Sequence, residues 1–378
     1  MYNGHVVIVF AIDHYNPLGV IRSLGENGIN PIYIAVKHRV ELGTKSKYVE
    51  KVHAVDTIEE GYKVLMDNYG DIYKSGKKPF VLFSDDKTTG YFDLHLDEVK
   101  DKFITYNANN TQGRIMEYMD KKNILDLAEK HGLNVLKSVV VKVGEIPEGL
   151  RYPVITKDIN PNAGGWKSDV FICNNEAELV EAYKHITSNV ILIQEYVEKK
   201  TEIAFEGCTV NKGTSTLLAI KSTYVYPIKG YYSPYMRCES LHDASMKKSI
   251  EGMFTEIGFE GIFEVEFLVD KNDVPYFLEI NFRNSTWSYA ATAAGMPLPY
   301  IWVKSMLENN ISADNYKEVP DGFTAMVEPI DYGKRMELGL STPGEWLADF
   351  KNADCCFYYN ENDLEPFYEM VKNWEKLC

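Results

Sequence analysis

Segment 259–285, FEGIFEVEFLVDKNDVPYFLEINFRNS, sets carboxylates, an amide and a guanidinium at two-residue spacing inside apolar, β-prone runs. Alternation predicts that Phe263, Val265 and Phe267 face one side of a strand while Glu264 and Glu266 face the other. Lys271-Asn272-Asp273 reads as a polar turn, after which residues 274–278 bring the chain back. Glu279 and Asn281 then share one face of the partner strand, and pairing Glu266 with Glu279 gathers two carboxylates and an amide oxygen. Such hard oxygen ligands suit Mg2+, which keeps several waters and binds through one or two carboxylates plus nucleotide phosphates. Arg283, two residues further on, is placed to hold a phosphate or a carboxylate. The competing reading is a set of solvated charges on an ordinary hairpin. Against it, Glu279, Asn281 and Arg283 follow an apolar Tyr-Phe-Leu run and are interleaved with Ile280 and Phe282, so they issue from an apolar strand.

The two runs GIFEVEFLVD and YFLEINFRNS resemble the metal-binding core of the ATP-grasp superfamily: V-E-F, a turn, then F-x-E-x-N-P-R. The resemblance implies two ATP-contacting lysines upstream, a glycine-bearing loop and an adenine-binding hinge, and similar segments occur in that order. Lys121, ahead of Lys122, matches the first lysine; it opens a predicted helix with apolar Ile124, Leu127 and Ala128 and a stop at Gly132. Lys157 matches the second, at the end of a buried strand predicted over 153–156, where it can neutralise phosphate charge. Gly164 and Gly165 resemble the loop, in a version poorer in glycine than the family's. A strand predicted over 190–193 runs into a segment resembling the hinge, which assigns Gln194, Glu195 and Val197 to adenine. Glu202 matches an acidic position near the ribose, where an anionic oxygen accepts from hydroxyls. The tyrosine-rich segment LLAIKSTYVYPIKGYYSPYMRCES lies where relatives carry an active-site cation, which assigns Lys221 or Arg237 a catalytic place beside Arg283.

Other elements must hold these groups. HVVIVFAI predicts a buried parallel strand, Asn16-Pro17 a helix cap and first turn, and Val20, Ile21 and Leu24 an apolar helix face that stops at Gly28; a second strand follows over 31–36. This unit lacks G-x-G-x-x-G and its second strand ends in Lys37-His38-Arg39, which argues against a dinucleotide. A third strand in PFVLFSDD delivers Asp85 and Asp86 to its C-terminal end, where α/β sheets place ligand contacts. By resemblance this is the α/β domain that precedes an ATP-grasp domain. Asp13, Asp85 and Asp86 are then candidates for gripping an amine, with surface turns as the other reading.

The architecture implied is α/β and α+β. An N-terminal α/β pre-ATP-grasp domain spans 1–115 and an ATP-grasp domain 116–310, with a mobile lid subdomain at about 135–195 and a metal-binding sheet. An extension over 311–378 packs on the body or on a partner subunit. Its amphipathic end places Leu364, Phe367, Met370, Val371 and Trp374 at helical spacing.

With 378 residues, 45% of them hydrophobic, the chain can bury a large core. A formal net charge of -15 disfavours nucleic acid or an anionic membrane as the main partner. Six cysteines form no C-x-x-C pair and the eight histidines are scattered, which fits a reduced compartment. The N-terminal apolar run has no basic leader and no run approaches the roughly 20 residues of a membrane span, so a cytoplasmic enzyme is expected. The resemblance implies ATP and Mg2+, with Mn2+ able to replace it, small-molecule carboxylate and amine substrates such as amino acids, and a homodimer as one option. It further implies a carboxylate-amine ligase working through an acyl phosphate, like the stand-alone amino-acid or D-aspartate ligases related to the carbamoyl-phosphate synthetase large chain. A kinase-like ATP-grasp enzyme, a carbamoyl-phosphate-synthetase- or carboxylase-like enzyme and a non-catalytic ATP-binding regulator stand as alternatives.

Overall fold

Apolar runs without alternation make strands that are buried on both faces, the mark of a parallel sheet covered by helices. The computed structural model describes residues 1–159, 169–228 and 232–377. Its N-terminal part follows that rule: β1 (Val7–Ile12), β2 (Ile32–Val36), β3 (Lys51–Val55), β4 (Phe80–Leu82) and β5 (Ile104–Thr105) pair in the order β3-β2-β1-β4-β5, all parallel. Helices α1 (Tyr15–Gly25), α2 (Ile58–Tyr69), α3 (Asp86–Leu94) and the short α4 (Leu96–Val99) connect them. Helix α1 starts earlier than Asn16-Pro17 suggests, because the N-cap is His14, whose ring accepts from the Asn16 amide.

Two aspartates at the C-terminal ends of β1 and β4 are absorbed by the backbone. Asp13 accepts from the amides of Leu42 (3.1 Å) and Gly43 (2.8 Å) and from the Tyr33 hydroxyl, so it pins the loop after β2. A Cβ at Gly43 would lie 2.9 Å from the Tyr33 ring and 3.0 Å from Asp13 Oδ1, so only glycine lets the loop approach this closely. Asp85 caps α3, accepting from Thr88 N (2.7 Å) and from Ile12 N (3.0 Å). Asp13 is fully buried and its pKa is pushed up to about 6 by that burial. Asp13 and Asp85 therefore serve neither as amine ligands nor as surface turns.

Beyond β6 (Asn107–Ala108), α5 (Arg114–Met119) and α6 (Lys121–Lys130), the chain forms an antiparallel sheet ordered β7-β10-β8-β9. Its strands are β7 (Ser138–Lys142), β8 (Val154–Lys157), β9 (Ile172–Cys173) and β10 (Val190–Glu195), with α7 (Glu176–Ala182) between the last two. This sheet keeps a small core of its own, built on Val154, Cys173, Leu179, Ala182, Ile191 and Ile193. Gly164 and Gly165 lie outside the described residues.

The largest sheet carries β11 (Lys199–Val210), β12 (Ser215–Tyr224), β13 (Tyr235–Glu239), β14 (Phe259–Asp270), β15 (Pro275–Asn281), β16 (Thr324–Met326) and β17 (Cys355–Cys356). Their order is β15-β14-β11-β12-β13-β16-β17, with β6 paired to β14 at one side. Around it lie α8 (Ala244–Ile257), α9 (Ser288–Ala293), α10 (Leu298–Glu308), α11 (Glu328–Glu337), α12 (Pro343–Asn352), α13 (Glu365–Lys372) and α14 (Trp374–Leu377). Strands β16 and β17 are part of this sheet, so the expected boundary at 310/311 does not mark off an appendage. Among the described residues no helix is long and apolar enough to cross a membrane.

The tail is fastened to the N-terminal sheet by a buried ion pair. Arg22 on α1 and Asp363 are 0% and 1% exposed and meet at 2.9 Å, with three further guanidinium donors on the carbonyls of Phe357, Tyr358 and Asp363. Ser46 Oγ and the Lys47 amide complete the carboxylate's shell. Removing one member leaves the other charged, buried and unpaired. Asp363→Ala is accordingly expected to cost about 3–5 kcal/mol, read as a lower urea midpoint; an unchanged midpoint would show that the pair contributes nothing.

Candidate functional site

Residues directly opposite one another in an antiparallel ladder share a face. Strand β11 sets Ala204 opposite Glu266 and Glu206 opposite Glu264, and β15 sets Glu279 and Asn281 opposite the same two glutamates. Glu202, two residues before Ala204, falls on that face as well. Val265, Phe267 and Ile280 take the other parity and enter the core. The hairpin thus brings Glu266, Glu279 and Asn281 together, with Glu264 beside them.

Asn281 Nδ2 donates to Glu264 and to Glu266, both at 2.8 Å, and its oxygen accepts from Arg283 Nη2 at 3.1 Å. Burial, and then repulsion from neighbouring glutamates, pushes the pKa values of Glu264 and Glu266 well above the carboxylate range. Glu206 is fully buried, accepts from the hydroxyls of Ser285 and Ser288, and is raised by its burial to about 7. The face is short of positive charge, which a divalent cation would supply. Among the described residues no three Asp, Glu, His or Cys side chains form a ready-made metal group. Two carboxylates and an amide nonetheless fit a hard cation that takes its remaining ligands from water and phosphate.

The lysines come from the neighbouring elements. Asp120 caps α6 by accepting from the amides of Lys122 and Asn123, and the Lys121 amide bonds to Ile159 O at 3.0 Å, which ties the helix start to the exit of β8. Lys157 Nζ donates to Gln194 Oε1 at 2.8 Å. Its pKa falls to about 8, lowered by burial and then by Lys121, with Glu279 and Glu202 opposing. Both lysines and both acids therefore act in one field. A cleft of about 50 Å³ opens among Asp86, Tyr118, Met119, Lys121, Glu279 and Asn281. A wider depression of about 820 Å³ beside His131, Thr216 and Ser249 holds none of the predicted site residues.

At the hinge, Gln194 is buried and its carboxamide serves Lys157 and Leu136 O, while the Glu195 carboxylate accepts from the Arg151 amide at 3.0 Å. The amides of Glu195 and Tyr196 bond to Lys137 O and Pro153 O; among the described residues the Val197 amide makes no hydrogen bond. The side chains of Gln194 and Glu195 therefore shape the hinge, and the Val197 amide is left to donate. Glu202 pairs with Lys199 at 2.6 Å and with the Tyr224 phenol, whose pKa rises through burial and then the charge of Glu202.

Lys221 and Arg237 are not brought to the site. Lys221 stands opposite Phe205 and Glu239, and Arg237 opposite Thr223, which stands opposite Ile203. Ile203 and Phe205 have the parity opposite to Ala204, so both cations leave the sheet on the face away from the carboxylates. Lys221 Nζ pairs with Glu239 at 2.6 Å, and Arg237 is exposed. Of the three N-terminal aspartates only Asp86 reaches the site, gripping Arg283 through Nε (2.8 Å) and Nη2 (3.2 Å). Burial opposes the charge of Arg283, but Asp86, with Glu264 and Glu266 behind it, raises its pKa above the usual arginine value. Sequence reasoning missed Glu206, Ser285, Ser288, Lys199 and Tyr224. The one signal for Glu206 was its even spacing from Glu202 along a single strand.

No family model matches the chain. The D-alanine–D-alanine ligase of Fusobacterium nucleatum is 27% identical over 175 residues, 43% of this chain and 55% of that protein. The structure of N5-carboxyaminoimidazole synthetase from Staphylococcus aureus complexed with ADP aligns with a TM-score of 0.65 at 16% identity, over 89% of this chain and 86% of that one. L-amino acid ligase from Bacillus licheniformis aligns with a TM-score of 0.63 at 12% identity, over 85% and 78%. The chain has the ATP-grasp fold. It covers between 16% and 55% of the length of the curated relatives it matches.

The lowered pKa of Lys157 carries a test. A nucleotide favours the ammonium form, which is fully present well below pH 8 and is lost as pH rises through about 8 in the free protein. ADP affinity is expected to fall above pH 8, approaching about tenfold per pH unit, and Lys157→Arg, which stays charged, is expected to flatten that slope. Calorimetric titration with ADP between about pH 7.5 and 9.5 measures it; parallel slopes in the two proteins would remove Lys157 from the phosphate site.

Proposed function

We propose that this chain is an ATP-dependent ligase that joins a carboxylate to an amine through an acyl phosphate, releasing ADP and phosphate. The observation that carries this reading is the single sheet face on which Glu266, Glu279 and Asn281 lie beside Arg283, with Lys157 and Lys121 acting in the same field. The ATP-grasp fold and the ligase names of similar proteins support it.

Each group has a task that its chemistry suits. The Val197 amide would donate to the adenine edge, and Glu202, oriented by Lys199 and Tyr224, would accept from the ribose hydroxyls. Lys121 and Lys157 would offset phosphate charge. Glu266, Glu279 and Asn281 would hold Mg2+, which supplies charge compensation among the phosphates; Mn2+ suits the same donors. Arg283 would orient the substrate carboxylate, whose oxygen attacks the γ-phosphorus as the bond to ADP breaks. The amine then attacks the acyl carbon, loses a proton and expels phosphate. Two similar proteins are named for joining D-alanine and for L-amino acids, which supports amino acids as substrates here. The five cysteines among the described residues are all free, which fits a cytoplasmic place.

The test is ADP and phosphate release from Mg-ATP with amino acids and small carboxylates, singly and in pairs, with product masses recorded. Release that requires two partners and yields a condensed product is expected; release with one acceptor and a stable phosphoproduct would make the enzyme a kinase instead. Glu279→Gln is expected to lower kcat at least about 100-fold with an unchanged thermal melt. Full activity in that variant would refute the metal assignment.

A further inference from the structure

Residues 37–51, KHRVELGTKSKYVEK, hold five lysines or arginines against two glutamates, a net +3 in a chain of -15. Neither the carboxylate face nor the nucleotide groups use them. The segment leaves β2 at the C-terminal edge of the parallel sheet, whose order β3-β2-β1-β4-β5 reverses direction between β1 and β4. Ligands of α/β sheets bind at that edge. Ile12 stands opposite Val36, so His14 and His38, each two residues beyond its strand, lie side by side. On the other flank the Ile12 amide donates to Asp85, and Asp86 follows with its grip on Arg283. From β2 to β4 the edge thus carries Arg39, His38, His14 and Arg283. His14 feels the charges of His38 and Arg283, and His38 feels that of Arg39; among the described residues no carboxylate acts on either ring.

The competing reading is a solvated surface loop. This loop is instead anchored along its length. Val40 and Leu42 are buried, Asp13 takes the amides of Leu42 and Gly43, and the buried Asp363 takes the Ser46 hydroxyl and the Lys47 amide. Two of its cations are spent locally: Lys37 pairs with Asp56 at 2.7 Å and Lys45 reaches Glu41 at 3.6 Å. Among the described residues the exposed Arg39 side chain makes no hydrogen bond or ion pair, and Lys47 lies over the Tyr48 ring without a carboxylate partner. Helix α1 begins at the same edge with no acidic residue in its first turn, so the positive end of its dipole is uncompensated there. His14 adds a donor without adding charge. Its Nδ1 accepts from the Asn16 amide and burial lowers its pKa to about 3, so the neutral ring keeps its proton on Nε2.

We propose that the C-terminal edge of β2 is an anion subsite, with Arg39 at its outer end, for a phosphate or carboxylate that the amine substrate carries at a distance from its reacting nitrogen. The proposal rests on the ligase reading for calling the ligand an amine substrate; the anion subsite itself does not need that reading. Arg283 and the carboxylate face hold the other substrate and the phosphates, which leaves the outer edge to the amine. Neighbouring strands lie about 4.8 Å apart, so the end of β2 stands roughly 10 Å from that of β4. The second anionic group has to span that width. An amine without one leaves Arg39 in water and gains nothing from it.

The experiment compares amines with and without a second charge: O-phosphoethanolamine with ethanolamine, 4-aminobutyrate with butylamine, and 6-aminohexanoate with hexylamine. Calorimetric binding to the MgADP-loaded full chain comes first, followed by ADP release from Mg-ATP with each amine and a panel of small carboxylates. Wild type is expected to bind the anionic member of at least one pair about tenfold or more tightly than its neutral partner. Whether the phosphate or the carboxylate pairs show the larger ratio identifies the anion. Arg39→Ala is expected to remove most of that ratio while leaving the neutral amine and the thermal melt unchanged, and Arg39→Lys should keep part of it. No preference in any pair, a preference that Arg39→Ala leaves intact, or an equal loss for both members overturns the subsite. A preference that Arg39→Ala abolishes, with no ADP release in any combination, keeps the subsite and overturns the ligase reading.

Discussion

The two-residue period of the β11-β14-β15 ladder is the constraint on which the rest of the molecule depends. Three strands must agree on parity for Glu206, Glu264, Glu266, Glu279 and Asn281 to share a face while Phe205, Phe263, Val265, Phe267 and Ile280 fill the core behind them. A slip of one residue in either pairing would bury the glutamates in apolar contacts and expose the phenylalanines. The apolar set therefore enforces the register, and the register assembles the site. Stability and function are written on opposite faces of the same strands.

That face carries more negative charge than an apo protein would choose. Burial and mutual repulsion hold Glu264 and Glu266 toward their protonated forms, and Asn281 spreads its two N–H donors across both. Arg283 is the guanidinium that answers them from within, and Lys157 the ammonium that answers from the neighbouring sheet. Such an arrangement is poorly compensated alone and better compensated with a cation and a polyphosphate in place. On the proposed function, affinity for both would come partly from relief of repulsion already present in the free chain.

What was legible in the sequence was local. The hairpin, the Asp120-capped helix that presents Lys121 and the strand that ends in Lys157 each span fewer than thirty residues, and their periodicity, caps and turn residues lie in view. Lys221 and Arg237 were assigned to the site because of their place along the chain. Their direction depends on how β12 pairs with β11 across a bulge at Glu206/Gly207, which no local signal reports. Asp13 and Asp85 sit where α/β sheets carry ligand groups, but nothing in the sequence showed that the amides of Leu42, Gly43 and Ile12 would claim them. Strands β16 and β17, of three and two residues, are too short to show a period, so the tail read as an extension when it completes the sheet.

Asp86 opens α3 beside the N-terminal sheet and Arg283 lies two residues past the end of β15; they are 197 residues apart and meet at 2.8 Å. A contact that close between separately folded layers requires a stiff joint, and α1 against α9 supplies it. Gly19 approaches so near that a Cβ there would stand 3.0 Å from the Cβ of Tyr289. Thr292 bonds to Ser23 at 2.9 Å and Tyr289 to Glu26 at 3.0 Å. Helix α9 begins five residues after Arg283, and Glu206 holds its start by accepting from Ser285, just ahead of the helix, and from Ser288, its first residue. On the other side, Arg22 of α1 locks the tail through Asp363, which is tied in turn to the loop that Asp13 pins. The buried ion pair of the tail and the carboxylate face of the site thus clamp the same helix pair from opposite ends. The tail therefore helps to fix the distance between two groups that it never touches.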